Sequence, residues 1–262
     1  MLLQIVDWPR WFVSLSIYCG LFVGVGGVFF INWVGRVPAP AVRTIAFALT
    51  GLLAVPLSNI LQLTAANTAI PTTSLSVLAL VMGAFSLLFR GPAGKALSAL
   101  AMVAGAITLA GDRADDIELR WLLTPALLIH GVGLMFWVGS FLPLIALLST
   151  RTAAASLALR RFSNTVPFAF LSLVSAGMYL ALSQLGSLEA LWLTTYGNVL
   201  LAKLLVFLVI VLIAAFNRYW LTEGALHSGV EVTKRMRLLI VTEAGLASVV
   251  IMTAAVLRQV AP

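Results

Sequence analysis

An ionisable side chain near the centre of a bilayer costs roughly 2.5–3.5 kcal/mol on insertion scales, so those lying inside long apolar runs are the first candidates for chemistry. This sequence has three, His130, Lys203 and Glu243, joined by the uncharged Asn59 and Gln62. At about 1.5 Å per residue, His130 lies roughly 13 Å below the outer end of its run and Lys203 roughly 12 Å, while Glu243 lies roughly 9 Å from the inner end of its own. Lys203 and Glu243 therefore differ in depth by roughly 10 Å. A direct ion pair needs both side chains to reach along adjacent helices; otherwise Lys203 snorkels outward and Glu243 inward.

An intramembrane imidazole such as His130 either hydrogen-bonds a neighbouring helix or ligates a metal. Imidazole combined with soft sulfur suits copper as Cu(I). Sulfur is present at similar depth: Cys19 at roughly 12 Å below the outer face, Met82 at 15 Å, Met102 at 13 Å, and Met178 and Met252 at 9 Å. Methionine is also a common gap-filler in apolar cores, and Met135, five residues beyond His130, faces away from it. Met178 is the expected partner of His130, because the fifth and sixth apolar runs have a short connection and pack antiparallel. Cys19 comes second, since thiolate binds copper more strongly than thioether.

Other chemistries find no support. His-x-x-x-His, Cys-x-x-Cys, paired carboxylates and a nucleophile with a base at recognisable spacing are all missing from the sequence, so no enzyme is expected. A haem carrier needs two axial ligands within the bundle, and His227 falls in a loop. The glycine-rich stretch 20–27 follows no strand, which argues against a phosphate loop and hence against a nucleotide cofactor.

The elements that hold these groups follow from composition. Of 262 residues, 61% are hydrophobic and 10% charged, with a mean hydropathy of +1.08. Ordinary soluble domains are about 45–50% apolar and about 25% charged, so the outer surface must face lipid. Apolar runs of about 20 residues fall at 11–34, 43–64, 72–89, 93–111, 121–149, 162–184, 195–220 and 238–257. The expectation is an all-α membrane protein, a polytopic bundle of about eight transmembrane helices in a single domain over 1–262. Pro38, Pro40, Pro71, the Gly91-Pro92 pair and the charged stretch 111–116 punctuate the runs. Trp8, Trp11, Trp33, Trp121, Trp192 and Trp220 fall at run ends, where amphipathic rings favour the headgroup level; only Trp137 sits well inside one. The start of the chain carries Asp7 rather than a basic cluster, and no small-residue cleavage pattern follows, so the first run is expected to stay as the first helix. Glycines at 20, 24, 26, 27, 131 and 133 permit close helix contacts.

Eight spans put both termini on one side. Arg10, Arg113, Arg120 and Arg258 then share that side, and eleven of the other basic residues lie opposite, with Lys203 intramembrane. By the positive-inside rule both termini lie outside the cytoplasm. The net charge of +7 is spread over short loops, which fits topology rather than nucleic acid. Cys19, the single cysteine, excludes an internal disulfide and lacks the small residues that precede a lipid-anchored cysteine.

The run 128–143, with His130, Trp137 and Gly139, resembles the His-then-Trp-x-Gly helix of the copper-resistance protein D (CopD) family. Leu159-Arg160-Arg161-Phe162-Ser163 is similar to that family's Arg-Phe-Ser lead-in. Thr195-Tyr196-Gly197, continuing through Lys203 to Asn217-Arg218, resembles its Thr-x-Tyr-Gly…Lys…Asn-Arg helix, and Arg237 to Glu243 its last helix. The resemblance is strongest over 122–262. It is weaker before that, in Trp8-Pro9-Arg10-Trp11 and the stretch 26–30, and it departs from the family where Asp112 stands in place of a histidine and where the region after the second run is short. The resemblance implies an inner-membrane protein of bacteria that moves copper from periplasm towards cytoplasm with a small periplasmic copper carrier, His130 collecting the metal and Trp137, Lys203 and Glu243 serving as structural or transport-path residues. A metal-free membrane assembly or scaffold protein of the same fold is the alternative, and a haem-binding electron carrier a more distant one.

Overall fold

The computed structural model describes residues 7–57, 71–89, 91–110, 120–150, 152–222 and 230–257. Asn59, Gln62, His227 and the acidic stretch 111–116 lie outside the described residues. The described chain is helical: α1 (Trp8–Trp33), α2 (Ala39–Leu57), α3 (Pro71–Ser86), α4 (Pro92–Ala110), α5 (Arg120–Gly139, continued by Phe141–Thr150), α6 (Ala153–Leu185), α7 (Thr195–Leu221) and α8 (Val230–Leu257). Seven are long and apolar enough to cross a membrane, and α3 is a shorter apolar helix. Large apolar side chains such as Phe47, Leu88 and Phe168 point outward at more than 70% exposure, the inside-out surface that lipid accepts.

Two of these helices outrun the apolar stretches seen in sequence. α6 begins at Ala153 rather than 162, because 153–159 is rich in alanine and leucine, strong helix formers that hydropathy alone does not count. α8 begins at Val230 rather than 238, and its first turns carry Glu231 paired to Lys234 (3.8 Å) and Arg235 (3.9 Å), spacings that support an exposed helix. The polar start of α8 is thus exposed helix, not loop.

Residue contacts group the chain into two compact units: Ser16–Gly177, and Met1–Leu15 with Met178–Pro262. In the first, α1 is central, and its Gly20–Gly26 segment is a π-helix. Gly26 lies against the backbone of α5 so closely that a Cβ there would collide with the Met135 carbonyl oxygen; one on Gly139 would come within 2.5 Å of Gly26 Cα. Two glycines facing each other let the α1 and α5 backbones touch, which buries Val25, Val28 and Met135 completely. Towards the inner end, Phe30, Phe136 and Phe162 form a ring cluster with centroids 5.7–6.0 Å apart, and Arg161 donates to the last-turn carbonyl of Val34 (3.4 Å).

In the second unit, Thr194 caps α7 by accepting from the Gly197 N–H (2.9 Å). Gly197 is pressed on the backbone of the Ala190–Leu193 turn, where no Cβ fits, and the Tyr196 hydroxyl donates to Gln184 Oε1. Tyr196, Val199 and Leu200 pack with Ala181, Leu185 and Leu191. α7 and α8 then run as a pair, joined through the buried stripe Thr233, Met236, Ile240, Glu243 and Ala247, whose spacing of three and four residues is one helix face.

Candidate transport-path residues

His130 lies on the α5 face that meets α6. Its Nδ1 is 3.1 Å from the carbonyl oxygen of Leu173, and Gly177, one turn further along α6, leaves the space the ring occupies: a Cβ there would be 2.9 Å from Cε1 and 3.0 Å from Nδ1. A carbonyl oxygen only accepts, so Nδ1 carries the proton and Nε2 is the basic nitrogen. This orientation is also the one in which metal-binding histidines are commonly held, with one nitrogen donating to a carbonyl and the other facing the ligand.

The sulfur residues fall elsewhere around the helices. Met178 begins the second unit, is 60% exposed, and is turned about 100° from Gly177 around α6, off the face that holds the imidazole. Cys19 is half-buried on α1, immediately before the π-helix. α1 meets α5 through Met135 and Gly139, which stand about 140° and 180° around the helix from His130. Cys19 is therefore carried on a helix that packs against the opposite face of α5. Met135 is fully buried, with its sulfur 2.9 Å from where a Cβ on Gly105 would sit, and Met102 is also core. Among the described residues, no group of three or more His, Cys, Asp or Glu stands together.

Trp137 is buried two turns below His130 and makes edge-to-face contacts with Phe141 (5.5 Å) and Phe170 (5.8 Å), fixing the inner part of α5 against its neighbours.

Glu243 is 4% exposed in the interior face of α8, and the Asn217 amide Nδ2 donates to its Oε1. Asn217 opens a second π-helix, Asn217–Leu221, at the end of α7. Sequence reasoning placed Lys203, not Asn217, as the residue to weigh against Glu243. Lys203 is fourteen residues from Asn217 on the same helix, about 21 Å, beyond the reach of a lysine side chain. The heptad spacing of Tyr196, Lys203, Ile210 and Asn217 was the available signal: it puts one polar group at each end of a single α7 face, and antiparallel pairing selects the inner one.

The residues that make these second-unit contacts, Tyr196, Gly197, Asn217 and Glu243, are the same ones that punctuate the end of the sequence. Residues 156–257 match the copper resistance protein D (CopD) family. No curated protein and no solved structure matches the chain. The CopD match takes in Arg161, the Leu173 carbonyl, Gly177, Met178 and the Asn217–Glu243 contact. His130 and Trp137 precede it, so over 122–155 the likeness to CopD rests on the sequence run itself. Within the match, the motif residues have structural roles: Gly197 lets the turn close, Tyr196 ties α7 to α6, and Asn217 ties α7 to α8.

Proposed function

We propose that this protein is a copper transport protein of the bacterial inner membrane, taking Cu(I) presented from the periplasm towards the cytoplasm. The CopD match supports copper handling. The observation that carries the site is His130, an intramembrane imidazole whose Nδ1 is oriented by the Leu173 carbonyl so that Nε2 is the coordinating nitrogen. Copper is the cargo, held by His130 with sulfur from Met178, the residue after Gly177, as the proposed partner; Cys19, carried on a helix against the opposite face of α5, is not placed to join them. Trp137 in one unit, and Lys203 and Glu243 in the other, are the candidate transport-path residues, and a small periplasmic copper carrier is the expected donor.

A second reading keeps the fold without the metal: an assembly or scaffold protein in which His130 is a helix–helix tie. The Leu173 bond favours it, since that bond alone gives the imidazole a structural use. Copper content and the visible spectrum of detergent-purified protein separate the two, and a haem carrier would declare itself by its absorption. After identical copper loading, His130→Ala should retain far less metal than Met135→Leu, a near-isosteric change on another face of α5. Equal copper in wild type and His130→Ala would leave the scaffold reading ahead.

A further inference from the structure

The contact between Asn217 and Glu243 leaves something over. Asn217 is 5% exposed and its Nδ2 is taken by the Glu243 carboxylate, yet its Oδ1 is buried with no hydrogen-bond donor among the described residues. Its backbone carbonyl is in the opposite position: both the N–H and the hydroxyl of Thr222 donate to it, the latter at 3.0 Å, an arrangement the π-helix makes by drawing residue 222 onto residue 217. One short stretch of α7 thus has a doubly served main-chain oxygen and a side-chain oxygen with none. A buried acceptor without a donor is rare, and beside a buried carboxylate it is costly twice over.

Rotating the amide does not cure this. With the amide turned, Oδ1 could accept from a protonated Glu243, but Nδ2 would then lose its acceptor. Either orientation leaves one group unserved, and a positively charged group would serve the carboxylate and the amide oxygen together. Among the described residues, the charged side chains of the packed elements stand elsewhere. Lys203 is about 21 Å away along α7. Glu231, Lys234, Arg235 and Arg237 are exposed on the first two turns of α8. Arg218 follows Asn217 in sequence and points about 100° around the helix from it. Asp7 and Arg10, at the start of α1, pair with each other at the surface (3.1 Å).

We propose that Glu243 and the Oδ1 of Asn217 form a binding site for a small monovalent cation, sodium, set in the α7–α8 pair. Its two oxygens are the hard ligands that such cations take, in contrast to the nitrogen and sulfur that suit Cu(I), so the site is chemically separate from His130. If the transport reading holds, this is where an ion gradient would be coupled to the cargo; the site itself does not depend on that reading.

The test uses the full chain in detergent and no copper. Thermal unfolding is followed while sodium replaces choline at constant ionic strength, near neutral and at mildly alkaline pH. A ligand that binds only the folded state raises the midpoint with concentration. If sodium occupies the site, the midpoint rises saturably with sodium. A midpoint that is indifferent to sodium and only rises as the pH is lowered is protonation of the Glu243 carboxylate itself and overturns the cation site. Glu243→Gln, isosteric and uncharged, should abolish the sodium response, and Asn217→Leu should weaken the apparent affinity on the order of tenfold. A wild type that does not respond to sodium, or a sodium response that survives in Glu243→Gln, overturns the site and leaves the pair as a tie between helices. Glu243→Gln keeps size and hydrogen-bonding capacity, so its reading stands even should Asn217→Leu fail to fold. Because no step involves copper, failure of this site and failure of the copper reading are separate results.

Discussion

His130 shows how far a residue's type and depth can be read before its direction is known. Sequence gives an imidazole at mid-depth and sulfur at the same level. It does not give the rotation of each helix about its axis, and that rotation decides what the ring touches. At 100° per residue, a change of one position turns Gly177 into Met178 as the residue facing the imidazole. The glycine is the better fit sterically, since the ring lies where any Cβ would be. Gly177→Ala should therefore push the imidazole off the Leu173 carbonyl, with overpacking expected to cost about 1–3 kcal/mol. A lowered thermal midpoint together with a shifted imidazole ¹H–¹⁵N signal would show both effects. An unchanged His130 signal in Gly177→Ala would mean that the glycine has no part in holding the ring.

At the scale of the element, apolar length placed all eight helices, while small residues and helix extension were legible to different degrees. The glycines at 24, 26 and 27 were readable as contact points, because without lipid-excluded driving force between helices close packing needs small side chains. That the stretch Gly20–Gly26 is a π-helix was not readable, since a π-turn depends on which carbonyl each N–H finds and the residues are equally compatible with α-helix. The starts of α6 and α8 were placed late because hydropathy stops at the bilayer edge, whereas hydrogen bonding and i,i+4 pairs carry the helix past it. The α1–α5 contact makes a firm prediction. Gly26→Ala places a methyl on the Met135 carbonyl, between two backbones that have no flexible side chain to yield, and should reduce stability by about 1–3 kcal/mol or abolish folded expression. Gly245→Ala in α8, where a Cβ meets nothing within 4 Å, should leave the melting midpoint nearly unchanged. Equal midpoints for the two variants would contradict the close approach of α1 and α5.

For the whole molecule the open question is which way it lies in the membrane, and a single long-range contact bears on it. The indole Nε1 of Trp11 donates to the carbonyl of Met252 (3.4 Å), joining the first turn of α1 to the last turns of α8. Trp11 is about 5 Å from the start of its helix and Met252 about 8 Å from the end of its own. Both chain ends of the bundle are thus at the same level, which requires an even number of crossings. Seven helices meet the length criterion for a span, and α3, the shorter apolar helix, is the candidate for the eighth. Its sixteen residues cover about 24 Å against a hydrocarbon core of about 30 Å, a mismatch that local thinning or the apolar Leu87-Leu88-Phe89 turn can absorb. The sequence assigns eleven basic residues to the side opposite the termini and four to the terminal side, from which the positive-inside rule gives the expectation that the termini face away from the cytoplasm. Reporter fusions active only in the cytoplasm should accordingly be silent at Pro262 and active near Ser228. Cytoplasmic activity at Pro262 would require either an odd number of spans, against the Trp11–Met252 contact, or an inverted molecule with its eleven basic residues outside.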